Sequence, residues 1–211
     1  MLEVEKIHGT ILAESFRTLK INIQYSSLDK NNQVIVVTSS NLGEGKTFIA
    51  SNLALILSRG NKRVILIDCN FRKPNIHKKF KLSNTLGLSE ILAGEGDINL
   101  LIRKYNDNLD IITSGHTLPN PAEVLESEKM DSFIEVLRGE YDYIIFDTPP
   151  ILFVSDAQIL ATKVDGTILV AKCGKTNKNE IKESYTMLKN INVNIIGTVL
   201  NGVKINFKKY F

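Results

Sequence analysis

The stretch SNLGEGKT, residues 40–47, follows the apolar run QVIVVTS at residues 33–39 and decides how the rest of the chain is read. Gly43 and Gly45 sit where successive backbone N–H groups turn inward with no Cβ in the way, and a helix beginning directly afterwards adds its partial positive charge. Lys46 is then placed to reach β and γ phosphates, and the Thr47 hydroxyl to hold Mg²⁺, which is why the lysine must be followed by a short hydroxyl residue. Ser40 stands where the pattern G-x-x-x-x-G-K-[ST] has its first glycine, so the match lacks one residue. A glycine-rich turn without a ligand has no packing reason to include the lysine. The segment therefore predicts a nucleotide-binding phosphate loop.

Working outward, short apolar runs recur at residues 34–37, 64–67, 109–112, 143–146, 167–170 and 195–200, and each reads as a strand buried on both faces. Between the first two, TFIASNLALILSR at residues 47–59 puts Ile49, Leu53, Ile56 and Leu57 at helical spacing and stops at Gly60. Residues 121–138 and 179–189 read as further helices. The alternation predicts an α/β fold of the P-loop NTPase kind, a mainly parallel sheet with helices on both faces, as a single domain over residues 1–211. Ahead of the first strand, ILAESFRTLKINIQ at residues 11–24 collects Leu12, Phe16, Leu19 and Ile23 on one face beside Glu14, Arg17 and Lys20, an addition to the minimal nucleotide fold. Residues 106–121 form the longest stretch expected to contain a substantial loop. VILID at residues 64–68 and YIIFD at residues 143–147 each end a strand with an aspartate, and ligands of open α/β sheets bind outside the carboxyl ends of the strands. Asp68 and Asp147 are therefore candidates to hold Mg²⁺ through water or to act as a base.

Composition narrows the class. With 211 residues, 43% hydrophobic and 23% charged, the chain has the make-up of one soluble globular domain. No apolar run is long enough to cross a bilayer, and the start MLEVEKIH lacks both the basic and the apolar parts of a signal peptide. The expected location is cytoplasmic, with membrane association only through a partner and no direct insertion. A net charge of +3 is too small to argue for nucleic acid, although Lys172, Lys175, Lys178 and the segment KINFKKYF at residues 204–211 make the last part of the chain basic. Cys69 and Cys173 have no metal-ligand spacing and read as buried thiols.

Several segments, taken in order, resemble the bacterial tyrosine kinases (BY-kinases), specifically the cytoplasmic kinase subunit of Gram-positive capsule and exopolysaccharide synthesis. TSSNLGEGKT at residues 38–47 resembles the family's Walker A, ILIDCNFRKP at 65–74 its Walker A′ and IIFDTPP at 144–150 its Walker B. ESFRTLK at residues 14–20 is similar to the E-x-x-R-x-x-R oligomerisation helix, placed at about residues 10–27, and GLSEILAG at 87–94 and LPNPAEVLES at 118–127 also resemble family segments. The resemblance implies ATP and Mg²⁺, with the nucleotide on Gly43, Glu44, Gly45, Lys46, Thr47 and Phe48 and the metal on Thr47, Asp147 and Asp68. It implies Lys46, Asp68 and Asp147 as the catalytic set, with Asp68 nearest the tyrosine hydroxyl. That hydroxyl, with an ordinary pKa of about 10, needs a carboxylate within reach at neutral pH. Asn201, in GTVLNG, matches the position where related ATPases read adenine. A homo-oligomeric ring joined through Glu14, Arg17 and Lys20, and a membrane activator or polysaccharide co-polymerase as partner, are implied as well. Arg72 and Lys73 are read as neutralising phosphate charge or joining a subunit contact.

Three departures stand out. Asn70 replaces the second aspartate of the D-x-D motif and removes a carboxylate, Tyr210 is the one tyrosine left of a tail that in the family carries a cluster of phosphoacceptors, so that either the chain is truncated or Tyr210 is its single acceptor, and Leu42 replaces a proline. Two other readings compete. A partition or septum-positioning ATPase would have a signature lysine where Asn41 stands, and a nucleotide-binding regulatory subunit would bind and assemble without transferring phosphate.

Overall fold

The computed structural model describes residues 11–26 and 32–203. Among these, seven strands form one sheet: β1 (Val34–Ser39), β2 (Val64–Asp68), β3 (Arg103–Asn106), β4 (Leu109–Ile112), β5 (Tyr143–Asp147), β6 (Gly166–Lys172) and β7 (Ile195–Asn201). Their spatial order is β3-β4-β2-β5-β1-β6-β7, parallel throughout except for the β3–β4 pair. Central strands carry β-branched and aromatic residues at consecutive positions because helices cover both faces, so β1 and β2 are buried at every residue.

The helices are α1 (Ile11–Tyr25), α2 (Lys46–Ser58), α3 (Ile76–Phe80), α4 (Leu88–Ala93), α5 (Ile98–Leu101), α6 (Pro121–Glu126), α7 (Glu128–Arg138), α8 (Asp156–Ala161) and α9 (Lys178–Asn190). On one face of the sheet Ile35, Val37, Leu66, Ile145, Ile168 and Val170 pack with Leu53 and Leu57 of α2, over which α1 lays Phe16 and Ile23. On the other, Val34, Val36, Ile65, Ile67, Ile144 and Phe146 pack with Phe133, Ile134 and Leu137 of α7. Successive strand residues supply the two cores alternately, as the pleat requires. Each such aliphatic side chain taken out of water stabilises the fold by about 1.5–3 kcal/mol, which makes α2 a rigid mount for the loop before it.

The structure departs from the sequence reading in five places. The single helix expected over residues 121–138 is two, because Ser127 is extended (ψ 154°) and turns its hydroxyl back onto the Val124 carbonyl at 2.7 Å. β7 is only half-buried, since it lies at the sheet edge and has a strand on one side alone. β3 was not anticipated; its residues RKYN are polar because it is the opposite edge. α2 runs from Lys46 to Ser58, one residue earlier at each end than the 47–59 read from the sequence, and the left-handed residue beyond Gly60 is Asn61 (φ 54°). Cys69 is buried as expected, but Cys173 is exposed because it falls in the loop just beyond β6. Among the described residues no helix is long and apolar enough to cross a membrane.

Candidate active site

The loop between β1 and α2 has left-handed glycines at Gly43 (φ 74°) and Gly45 (φ 101°), a backbone that L side chains rarely adopt. At Gly45 a Cβ would also come within 2.1 Å of the Asn201 amide nitrogen. The first turn of α2 has no side-chain cap, so the N–H groups of a 13-residue helix are open towards whatever sits on the loop. Ser40, the residue in place of the first glycine, is fully buried; its hydroxyl receives that of Ser184 at 2.8 Å and lies 3.3 Å from the Glu180 carbonyl, so the side chain ties the loop to α9. The Glu44 carboxylate is also buried and taken up internally, accepting from the Asn41 N–H (2.8 Å) and from the Thr176 hydroxyl. Of Glu44 only the backbone is left for a ligand. Asn201 donates its amide to the Glu44 carbonyl at 2.9 Å, which puts it directly against the loop. Lys46 is almost fully buried and donates to the Ser39 hydroxyl at 3.0 Å. Burial lowers its pKa, with Asp147 and Glu44 pulling the other way.

Asp68 and Asp147 are register partners at the tips of β2 and β5, and both are buried. Asp68 accepts three backbone N–H groups, from Asn70 (3.1 Å), Asn75 (2.9 Å) and Ile76 (2.9 Å). With roughly four lone-pair sites on a carboxylate, Asp68 is mainly a staple for the loop that follows it. Asp147 is the opposite case: neither of its oxygens has a partner at hydrogen-bond geometry. Burial, and then the charge of Asp68, push its pKa up to about 8, with the Thr47 hydroxyl, Lys46 and Lys79 opposing the rise. Burial pushes Asp68 to about 6, its three N–H donors holding it down. A carboxylate with unused oxygens, a second beside it and a threonine hydroxyl nearby match the oxygen ligands of Mg²⁺, which binds through one or two carboxylates and substrate phosphates. Among the described residues no group of three or more His, Cys, Asp or Glu forms a metal cage.

A cavity of about 310 Å³ lies over the loop, lined on one side by Gly43, Gly45, Lys46, Thr47 and Phe48 and on the other by the segment after β2 and the start of α3. Asn70 serves that segment as a turn residue, its side-chain oxygen accepting the Lys73 N–H at 3.1 Å. Arg72 points away to a third role, a two-pronged contact (3.3 Å each) with the buried carboxylate of Asp156, while Lys73 lines the cavity. Phe48 stacks between Phe16 (centroids 5.9 Å apart) and the Lys79 ammonium (4.9 Å from the ring).

The residues read as an oligomerisation set sit on the outer side of α1. Glu14 and Arg17 form an exposed pair at 2.6 Å, a contact of small worth within one chain. Lys20 reaches over Gly60 at the end of α2, where a Cβ would come within 2.7 Å of its Nζ. Tyr210 lies outside the described residues. Sequence reasoning missed the clamp behind the phosphate loop: Lys175 donates to the Leu42 carbonyl at 2.7 Å and Thr176 bonds Glu44. Both directly follow β6, so the rule that directs attention to carboxyl ends of strands would have found them.

A phosphate loop joining a central parallel strand to a helix, with a buried aspartate on the neighbouring strand, defines a P-loop nucleotide-binding protein. A family model described as an AAA domain matches residues 32–200. The tyrosine-protein kinase YwqD of Bacillus subtilis (strain 168) is 39% identical over 195 residues, covering 92% of this chain and 82% of that one. The tyrosine-protein kinase Etk of Escherichia coli (strain K12) is 36% identical over 191 residues, which are 90% of this chain but only 26% of that longer one. The solved kinase domain of Etk superposes with a TM-score of 0.86 at 36% identity, covering 90% of this chain and 75% of that chain. The crystal structure of the chimerical protein CapA2B2 gives a TM-score of 0.93 at 31% identity, covering 97% and 90%. The chain belongs to the AAA domain family and, within it, to the bacterial tyrosine-protein kinases.

The carboxylate pair makes stability depend on pH. A carboxyl whose folded pKa is raised holds its proton in the folded state after the unfolded chain has lost it, so its contribution is present in acid and is lost as pH rises from about 4 towards the folded values of about 6 and 8. Without metal, the melting temperature is expected to fall across this window and to fall less steeply in Asp147→Asn. Thermal denaturation in EDTA measures it, and parallel slopes for the two proteins would contradict the pKa assignment.

Proposed function

We propose that this chain transfers the γ-phosphoryl group of ATP to tyrosine hydroxyls, its own family's reaction, in the cavity above the phosphate loop. The observation that carries the reading is the buried Asp147 carboxylate with both oxygens unpartnered, next to Asp68 and within the field of Lys46. Family membership supports the tyrosine acceptor. Phosphoryl transfer is catalysed almost wholly by positioning and charge neutralisation, and the residues divide those tasks. The N–H groups from Gly43 to Phe48 and the Lys46 ammonium hold the phosphates. Thr47 and Asp147 would provide the metal's protein ligands, with Asp68 in support, and Mg²⁺ held there would neutralise phosphate charge. Asp68 fixes the loop after β2 and keeps one acceptor position for the incoming hydroxyl. Asn201, already holding the loop, is the side chain beside which the purine is read.

On the same footing the chain acts as one kinase domain over residues 1–211, with α1 as the oligomerisation helix of a ring. It works in the cytoplasm against a membrane activator or polysaccharide co-polymerase, in capsule or exopolysaccharide synthesis. The family resemblance of residues 14–20 supports the ring. Light scattering that gives Glu14→Ala/Arg17→Ala the same mass as the wild type would remove it.

Activity is tested by incubation with Mg²⁺ and radiolabelled ATP, scoring phosphotyrosine and ADP separately. Lys46→Met and Asp147→Asn are expected to lose about 100-fold or more of phosphotyrosine formation, the scale of removing a charge-stabilising group. Asn70→Asp is expected to raise it, since an aspartate keeps the acceptor for the Lys73 N–H and returns a carboxylate to the site. ADP without phosphotyrosine would favour a partition-type switch, and neither product a non-catalytic subunit.

A further inference from the structure

The cavity wall that faces the phosphate loop carries charge of one sign. Lys73, Lys78 and Lys79 line it together with Asn70, Pro74 and Asn75, and no acidic side chain is among its lining residues. The acids nearby are buried: Asp68 under the loop it staples, Glu44 between Asn41 and Thr176, and Asp147, its oxygens unpartnered, beside Asp68. Lys79 lies over the Phe48 ring. Lys73 and Lys78 are exposed, and among the described residues neither forms a salt bridge, whereas Lys62 and Lys163 elsewhere pair with Asp142 and Asp131.

An exposed lysine is ordinarily no more than a solvated side chain. These two differ in where they stand. The phosphates already have Lys46, the glycine-bent N–H groups and the uncapped start of α2. Lys73 and Lys78 belong to the opposite wall, on the segment that follows Asp68 and that Asp68 staples through the Asn75 and Ile76 N–H groups.

We infer that the site takes tyrosines set in acidic segments, with Lys73 and Lys78 reading carboxylates beside the acceptor. This rests on the proposed phosphoryl transfer in that cavity and names its substrate class. Potentials of one sign at a cleft mouth raise the local concentration of oppositely charged ligands and set specificity more than maximal rate. Tyr210 carries the wrong sign for this mouth, being preceded by Lys208 and Lys209. The favoured acceptor is therefore an acid-flanked tyrosine rather than one set among lysines.

Three peptides of equal length test this, with the tyrosine flanked by glutamates, by serines, or as in KINFKKYF. The wild type is expected to phosphorylate the glutamate peptide with kcat/KM about tenfold or more above the lysine peptide, mostly through KM and less so at high salt. Lys73→Glu/Lys78→Glu is expected to reverse the order and Lys73→Gln/Lys78→Gln to flatten it, with the peptide preference changing by a larger factor than the KM for ATP in both. Circular dichroism confirms that the variants fold. Equal use of all three peptides by the wild type would overturn the inference while leaving the kinase reading intact. So would an unchanged peptide order with a raised KM for ATP, because the lysines would then serve the nucleotide. A wild type that binds nucleotide but labels no peptide would overturn both.

Discussion

Two carboxylates side by side at the tips of adjacent buried strands are the constraint around which the rest of the molecule is arranged. Asp68 and Asp147 stand in register on β2 and β5, out of water and close enough for one to raise the pKa of the other. Such a pair is unfavourable unless its charge is met. The fold meets half of it itself, through the three N–H groups on Asp68, and leaves the other half open at Asp147. Under the proposed function a cation would meet that half, and the phosphate loop beside it would bring the anion that such a cation accompanies.

The loop that would receive that anion is fixed from behind by side chains bonded to its own residues. Ser40 joins α9 through Ser184, Lys175 holds the Leu42 carbonyl, and Thr176 and Asn201 meet at Glu44. Ser40 in place of glycine is thereby explained: the position is buried against α9, where a hydroxyl finds partners and conformational freedom is not needed. The same economy holds on the opposite wall, where Asn70 and Asp68 together shape the segment that carries Lys73 and Lys78.

How much of this was legible depends on whether a residue's task is local. The central strands announced themselves as apolar runs because two-sided burial leaves no alternation to disguise them, and the loop was readable because glycines, lysine and threonine there answer to backbone geometry and phosphate charge. Edge strands were harder: RKYN at residues 103–106 has no apolar pattern, and residues 195–201 look more buried than they are. Helices α3, α4, α5 and α8 run only four to six residues, too short for a helical period to emerge. The separate tasks of Asp68 and Asp147 could not be read from two identical strand endings, since they follow from which N–H groups the tertiary fold delivers to each.

The most direct test of this account counts protons. Isothermal titration calorimetry of Mg²⁺ with a non-hydrolysable ATP analogue, repeated at pH 7 in buffers of different ionisation enthalpy, gives the number of protons released on binding, corrected for the analogue's own titration. Because the metal requires Asp147 ionised and burial holds that carboxyl near a pKa of about 8 without it, a net proton release is predicted for the wild type and its disappearance in Asp147→Asn. Binding with no proton release, or with the same release from both proteins, would contradict it.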